Sequence, residues 1–209
     1  MNSPAPVGRR GDGARPSPAL QILSASPPID IAGAEDAIRS LLIALGQDPE
    51  AEHLRNTPRR VAAAYAEMLS PDAFDLTTFA NDDGYDQLVL ARDIPFRSLC
   101  EHHMLPFHGV AHVGYLPAES IVGLSKLARV VERFARGLQV QERLAKQVAD
   151  CLDTHLNPKG VGVVIEAEHQ CMTLRGVRAH GSRTLTSALH GHLRVDAAAR
   201  QEFFSLTRS

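Results

Sequence analysis

SLCEHHMLPFHGVAHVGYLP, residues 98–117, decides how the rest of the chain is read. Its second half, Val110–Leu116, has the apolar and β-branched content of a strand, with Pro106, Gly109 and Pro117 as punctuation. Its first half carries Cys100, His102 and His103. Cys100 and His103 have a C-x-x-H spacing that can chelate one metal ion, and Cys171, in AEHQCMTLRG (residues 167–176), can supply a third ligand from a second element. Three protein ligands rather than four leave a coordination position open for water, the mark of a catalytic rather than a structural zinc. His102 and His169 lie beside these ligands, and a metal-bound water flanked by imidazoles points to hydrolysis.

Outward from this stretch the pattern is mixed. Leu88–Leu90 and Ile94–Phe96 read as strands before it. After it, Gly123-Leu124-Ser125 opens a helix with Leu127, Val130, Val131, Phe134 and Leu138 on one face, interrupted by Gly137. A second helix from about Val140 to Leu156 turns Leu144, Val148, Cys151 and Leu152 inward, and Asn157-Pro158 stops it. Val161, Val163, Ile165 and Ala167 alternate as a strand, and Arg183–Leu189 reads as the last strand. The expected body is two strands, two helices and two strands, an α+β domain.

Two helices precede this body. Ile38, Leu41, Leu42 and Leu45 form one apolar stripe that Gly46 can end. Thr57-Pro58 reads as an N-cap with Pro at the first helical position, leading into Val61, Ala62, Tyr65 and Met68. The expected organisation is a disordered tail over residues 1–29 and a single domain over 30–209, with N-terminal helices at about 30–70 and a core at about 86–190. Arg9, Arg10 and Arg15 with few acids have something of a transit peptide, but a disordered tail is the simpler reading.

Composition narrows the function classes. The chain has 209 residues, 44% hydrophobic and 22% charged, ordinary values for a globular protein. A net charge of -2 gives no bulk electrostatic case for nucleic acid. Three cysteines cannot form a fully paired disulfide framework, which favours a reducing, cytoplasmic compartment. No apolar run approaches the length of a membrane span.

Each candidate residue has a plainer reading. A free cysteine is often a small buried hydrophobe, and Cys151, on an apolar stripe without a histidine at ligand spacing, is expected to be one. Continuing the alternation of the Val161 strand puts His169 and Cys171 on one face. A straight strand would put Cys100 beside His102, so either the backbone bends after Cys100 or His102 is the ligand; spacing alone leaves both open. Ser125, Lys126 and Arg129 at a helix start suit an anion, phosphate above all, yet taken singly they are a helix cap with solvated charges. Gln141 and Glu142 open the next helix, where a glutamate usually answers the helix dipole. Arg175 brings a cation close to Cys171, and Arg60 would ordinarily be part of a solvated helix face.

At these residues the chain resembles GTP cyclohydrolase I. The resemblance is carried by residues 98–117, by GLSKLARVVERFARGLQVQERL at 123–144 and by EHQCMTLRGV at 168–177, in that order. It implies the tunnelling fold, antiparallel strands with two inserted helices (ββααββ), closing between subunits into a barrel, and a homodecamer of two stacked pentamers. It implies conversion of GTP and water to 7,8-dihydroneopterin triphosphate and formate, the entry to pterin and tetrahydrofolate synthesis. It further implies Zn2+ on Cys100, His103 and Cys171, with His102, His169 and Ser125 as catalytic groups. Glu142 would hold the guanine edge with Gln141 adjacent, Lys126, Arg129 and Arg175 would bind the triphosphate, and Arg60, in TPRRVA, would reach it from a neighbouring subunit. Two rivals differ in what they require: another tunnelling-fold enzyme would carry a three-histidine metal site or a cysteine nucleophile, and a zinc-stabilised binding module would need a fourth protein ligand.

Overall fold

The computed structural model describes residues 20–22 and 28–208. In chain order the elements are β1 (Leu20–Ile22), α1 (Ile31–Ala44), α2 (Thr57–Leu69), β2 (Phe74–Leu76), β3 (Thr78–Ala80), β4 (Val89–Cys100), β5 (Pro106–Leu116) and β6 (Ser120–Val122). They continue with α3 (Leu124–Ala135), β7 (Leu138–Gln139), α4 (Gln141–Leu156), β8 (Gly160–His169), α5 (Gln170–Thr173), β9 (Thr184–His190), α6 (Gly191–Val195) and α7 (Ala197–Thr207). The expected tail lies outside the described residues except for residues 28–29 and β1, which pairs antiparallel with β2.

The body is a mixed α+β unit around a five-stranded sheet of order β7-β4-β5-β8-β9. All neighbours are antiparallel except the short β7, which runs parallel to β4. Helices α3 and α4 cover one face. The stripes Leu127, Val130, Val131 and Leu144, Val148, Leu152 meet Ala111, Val113, Val161, Val163 and Ile165 there in one buried cluster. Cys151 belongs to that core, and burial pushes its thiol up to about 11. α4 ends where Asn157 takes a left-handed conformation (φ 47°) ahead of Pro158.

The opposite face is covered over β5 and β8 by α6 and α7. Phe203, fully buried, lies over two glycines: a Cβ on Gly162 would come within 2.7 Å of its ring and one on Gly114 within 3.1 Å. Those two positions are bare so that the ring can lie flat on the strands. Truncating Phe203 there would cost about 3–5 kcal/mol.

Three expectations change. The two strands expected near Leu88 and Ile94 are one strand, β4, whose register slips between Ala91 and Ile94 at a bulge with Asp93 at φ 55°. Leu138 is not part of the α3 stripe: α3 ends at Ala135, and Leu138 starts β7, exposed. The apolar stripe of α1 contributes no buried residue, because α1 packs on α2 and not on the sheet.

Candidate active site

The metal-type donors sit where two strands, β4 and β8, end. β4 stops at Cys100, and the chain turns at once: the N–H groups of His103 and Met104 donate to the Cys100 carbonyl at 3.3 and 2.8 Å, and Met104 is left-handed at φ 54°. The backbone therefore bends after Cys100, which brings His103 as well as His102 back to the sulfur. His103 Nδ1 lies 3.8 Å and His102 Nδ1 3.9 Å from Cys100 Sγ.

Cys171 arrives differently from the strand alternation expected of it. β8 ends at His169, the last residue paired with β5 (to Phe107), and residues 170–173 form one turn of helix. The next residue of β5 in register is Pro106, which has no N–H to give, and here the chain curls, carrying Cys171 to Cys100. Cys100, His103 and Cys171 each offer a ligand atom, and the three atoms lie within 4.8 Å of one another. A tetrahedral zinc with bonds of about 2.3 Å to sulfur and about 2.0 Å to nitrogen spaces its donors by roughly 3.5–3.8 Å, so this donor set fits the ion. Burial, then the neighbouring Cys100, hold the Cys171 thiol above its usual range, with Arg175 pulling the other way.

The turn is anchored from the side. Glu101 N–H donates to the Gln139 carbonyl at 3.0 Å, and the Glu101 carboxylate is paired with Arg143, whose hydrogen bond holds it below the usual carboxylate range. Arg143 also donates from Nε to Gln139 Oε1 at 2.9 Å and to the Leu138 carbonyl at 3.0 Å. The other oxygen of Glu101 lies 3.9 Å from His102 Nε2. This Glu101–Arg143 brace was not legible in the sequence, because the partners are 42 residues apart.

His169 occupies the second half of the site. Its ring stacks on Phe107 with centroids 4.7 Å apart and planes 2° from parallel, a cross-strand pair set by the β5–β8 register. Its Nε2 lies 2.8 Å from Gln141 Oε1. Burial lowers the pKa of His169, and the nearby Glu142 carboxylate opposes that shift. Glu142 itself is exposed in the first turn of α4, whereas Gln141 is buried.

The remaining candidates are carried by α3 and α2, the latter tied to the donor turn by the Tyr65 hydroxyl, which donates to the Met104 carbonyl at 3.2 Å. Ser125 and Arg129 are exposed on the first turns of α3, which Gly123 caps without a side-chain bond, and Lys126 Nζ sits 6.0 Å over the Phe74 ring. Arg60 is exposed on α2. Among the described residues, none of these four forms a hydrogen bond or ion pair with the cysteine–histidine group. His108 is exposed on β5, while His112 is buried and its Nδ1 accepts from Asp93 N–H at 3.3 Å at the β4 bulge. No helix among the described residues is long and apolar enough to cross a membrane.

Comparison with known proteins identifies the family. Residues 34–208 match the GTP cyclohydrolase I family. A GTP cyclohydrolase 1 of Streptomyces coelicolor is 54% identical over 178 residues, covering 83% of this chain and 88% of its own. One from Mycolicibacterium vanbaalenii is 53% identical over 184 residues (85% and 90%), and one from Brucella anthropi is 50% identical over 182 residues (85% of each).

Proposed function

The chain belongs to the GTP cyclohydrolase I family, and from that premise we propose that it is a zinc enzyme that opens the imidazole ring of GTP, releases C8 as formate and rearranges the remainder to 7,8-dihydroneopterin triphosphate. The observation that carries this reading is the meeting of a Cys-His-Cys donor set with a histidine held beside a free carboxylate. A product of this kind is the entry to pterin and tetrahydrofolate synthesis.

Cys100, His103 and Cys171 would hold the ion, and mixed thiolate and imidazole donors suit zinc. When bound, the ion supplies Lewis-acid activation of water. The side chains do the rest. His169 gives a proton to purine N7, which leaves C8 electron-poor and open to attack. Glu142 accepts from N1–H and the 2-amino group, a two-point contact that adenine cannot return, so a site built on it rejects ATP. His102 and Ser125 move protons while the ribose opens and the pterin ring closes. Lys126, Arg129 and Arg175 offset the roughly four negative charges of the triphosphate.

Among the described residues neither the α3 candidates nor Arg60 bonds to the donors of its own chain, and Leu124, Leu174 and Val177, all near the site residues in sequence, are exposed. Both observations support a site completed between subunits. The reading is therefore a tunnelling fold closed into a barrel, assembled as a homodecamer of two pentamers, with Arg60 of a neighbour on the phosphates.

The test is direct. Zinc-replete protein given GTP should release formate and yield, after oxidation, a fluorescent pterin, with ATP inert. GTP consumed with phosphate but no formate would end this reading.

A further inference from the structure

Gln141 differs from every other candidate substrate contact in being inaccessible, with 1% of its surface exposed. Its amide nitrogen lies 2.9 Å from the Ile165 carbonyl, 2.9 Å from the Thr184 carbonyl and 3.2 Å from Thr186 Oγ1. Carbonyl oxygens only accept, so the atom facing them is the NH2 group, and the atom facing His169 is the amide oxygen. That oxygen is 2.8 Å from His169 Nε2 and can also only accept. Nε2 therefore carries a hydrogen. Phe107 covers a face of the same ring. Among the described residues no hydrogen bond reaches His169 Nδ1.

We infer that Gln141 is a positioning residue that locks His169 as its Nε2–H tautomer, leaving Nδ1 as the nitrogen that exchanges a proton with substrate, and that it does not contact the guanine. The amide is pinned by the backbone of β8 and β9, so it cannot turn to present an acceptor to Nδ1 or a donor to Nε2. In the proton transfer the Nδ1–H bond of the protonated ring breaks, its electron pair stays on the ring, and the proton moves to N7; the other hydrogen stays on Nε2, donated to Gln141 Oε1 throughout. The identity of N7 as the acceptor rests on the proposed function, while the tautomer lock does not.

The experiment has two arms. Nitrogen spectra of histidine-labelled holoenzyme in the solid state, at a pH where the rings are neutral and with a His169→Ala sample for assignment, should show His169 protonated at Nε2. Protonation at Nδ1 would overturn the inference even if GTP is turned over, whereas an Nε2–H ring in a protein that releases no formate would instead refute the function and spare the lock. In the kinetic arm, Gln141→Met should lower kcat by at least about tenfold with zinc content kept and KM for GTP within about twofold. It should add nothing in a His169→Ala background. A raised KM with kcat intact, or the full loss repeated without His169, would make Gln141 a substrate contact or a purely structural residue. Should the methionine variant fail to fold, the isosteric Gln141→Glu goes through the same cycle with the same expected non-additivity.

Discussion

The two ends of the site are held by opposite means. At the sulfur end the donors come from the last residue of β4, a turn and a single turn of helix, His102 and His103 are exposed, and among the described residues only Cys100 Sγ meets the His103 ring as a hydrogen-bonding partner. At the His169 end the ring is stacked on a buried phenylalanine and bonded to a buried amide whose own hydrogens are all spoken for. The difference separates what folding preorganises from what an ion must complete. The His169 end costs nothing to order when substrate arrives, because the core has already ordered it. The sulfur end gathers donors but leaves their final geometry to the metal.

The largest effect should come from breaking the sulfur end. Cys171→Ser is expected to lose zinc and to drop formate release by at least about a thousandfold, since Lewis-acid activation contributes several kcal/mol to the barrier. Cys100 and Cys171 touch the sheet core only at its edge, and the side chains of α3, α4 and the sheet make up most of that core, so the variant, and the wild type stripped by a chelator, should still melt cooperatively. Metal analysis beside a thermal melt checks this. Full zinc in the variant would remove Cys171 from the ligand set.

A smaller effect sharpens the contrast within the turn. His102 and His103 approach the same sulfur at nearly equal distances, 3.9 and 3.8 Å, but only His103 groups with Cys171. His102→Ala should therefore keep its zinc and lose about a hundredfold or more in turnover, the scale of a proton-transfer group. Loss of zinc there, with zinc kept in His103→Ala, would exchange the two roles.

The smallest effect concerns a histidine more deeply buried than the half-buried His169 and away from the site. His112 is 2% exposed, and desolvation lowers its pKa from 6.5, with the Asp93 carboxylate opposing. A folded-state pKa below the unfolded one means that the unfolded chain binds the proton more readily, so this contribution is present above about pH 6.5 and is lost as pH falls below it. Wild type should lose Tm on acidification, and His112→Gln should flatten that slope by on the order of a few degrees. An unchanged slope would show that His112 protonates as easily in the fold as out of it.

Much of the body was legible because its signals are local. The α4 stripe and the β8 alternation are periodicities of 3.6 and 2, and both ended up buried against each other. The N-terminal stripe of α1 misled because a periodic apolar face says which side turns inward without saying onto what. The strand reading of Cys171 failed for a related reason. Alternation continues only while a neighbouring strand continues, and beyond His169 the one residue of β5 left in register is Pro106, which has no N–H to offer.

The sequence by itself determined the chemistry on offer: two thiols and three imidazoles in two short stretches, a carboxylate and cations at helix starts, and a mixed α+β order of elements. Those follow from side-chain identity and from spacing along a few residues. Only the tertiary structure decided which ring groups with both cysteines, that Cys171 arrives on a helical curl, that Arg143 braces Glu101, and that Gln141, 28 residues before His169, holds its Nε2. Such pairs depend on strand register and on where a helix docks. A slip of one residue in either would invert the faces and separate them, and no local pattern records that choice.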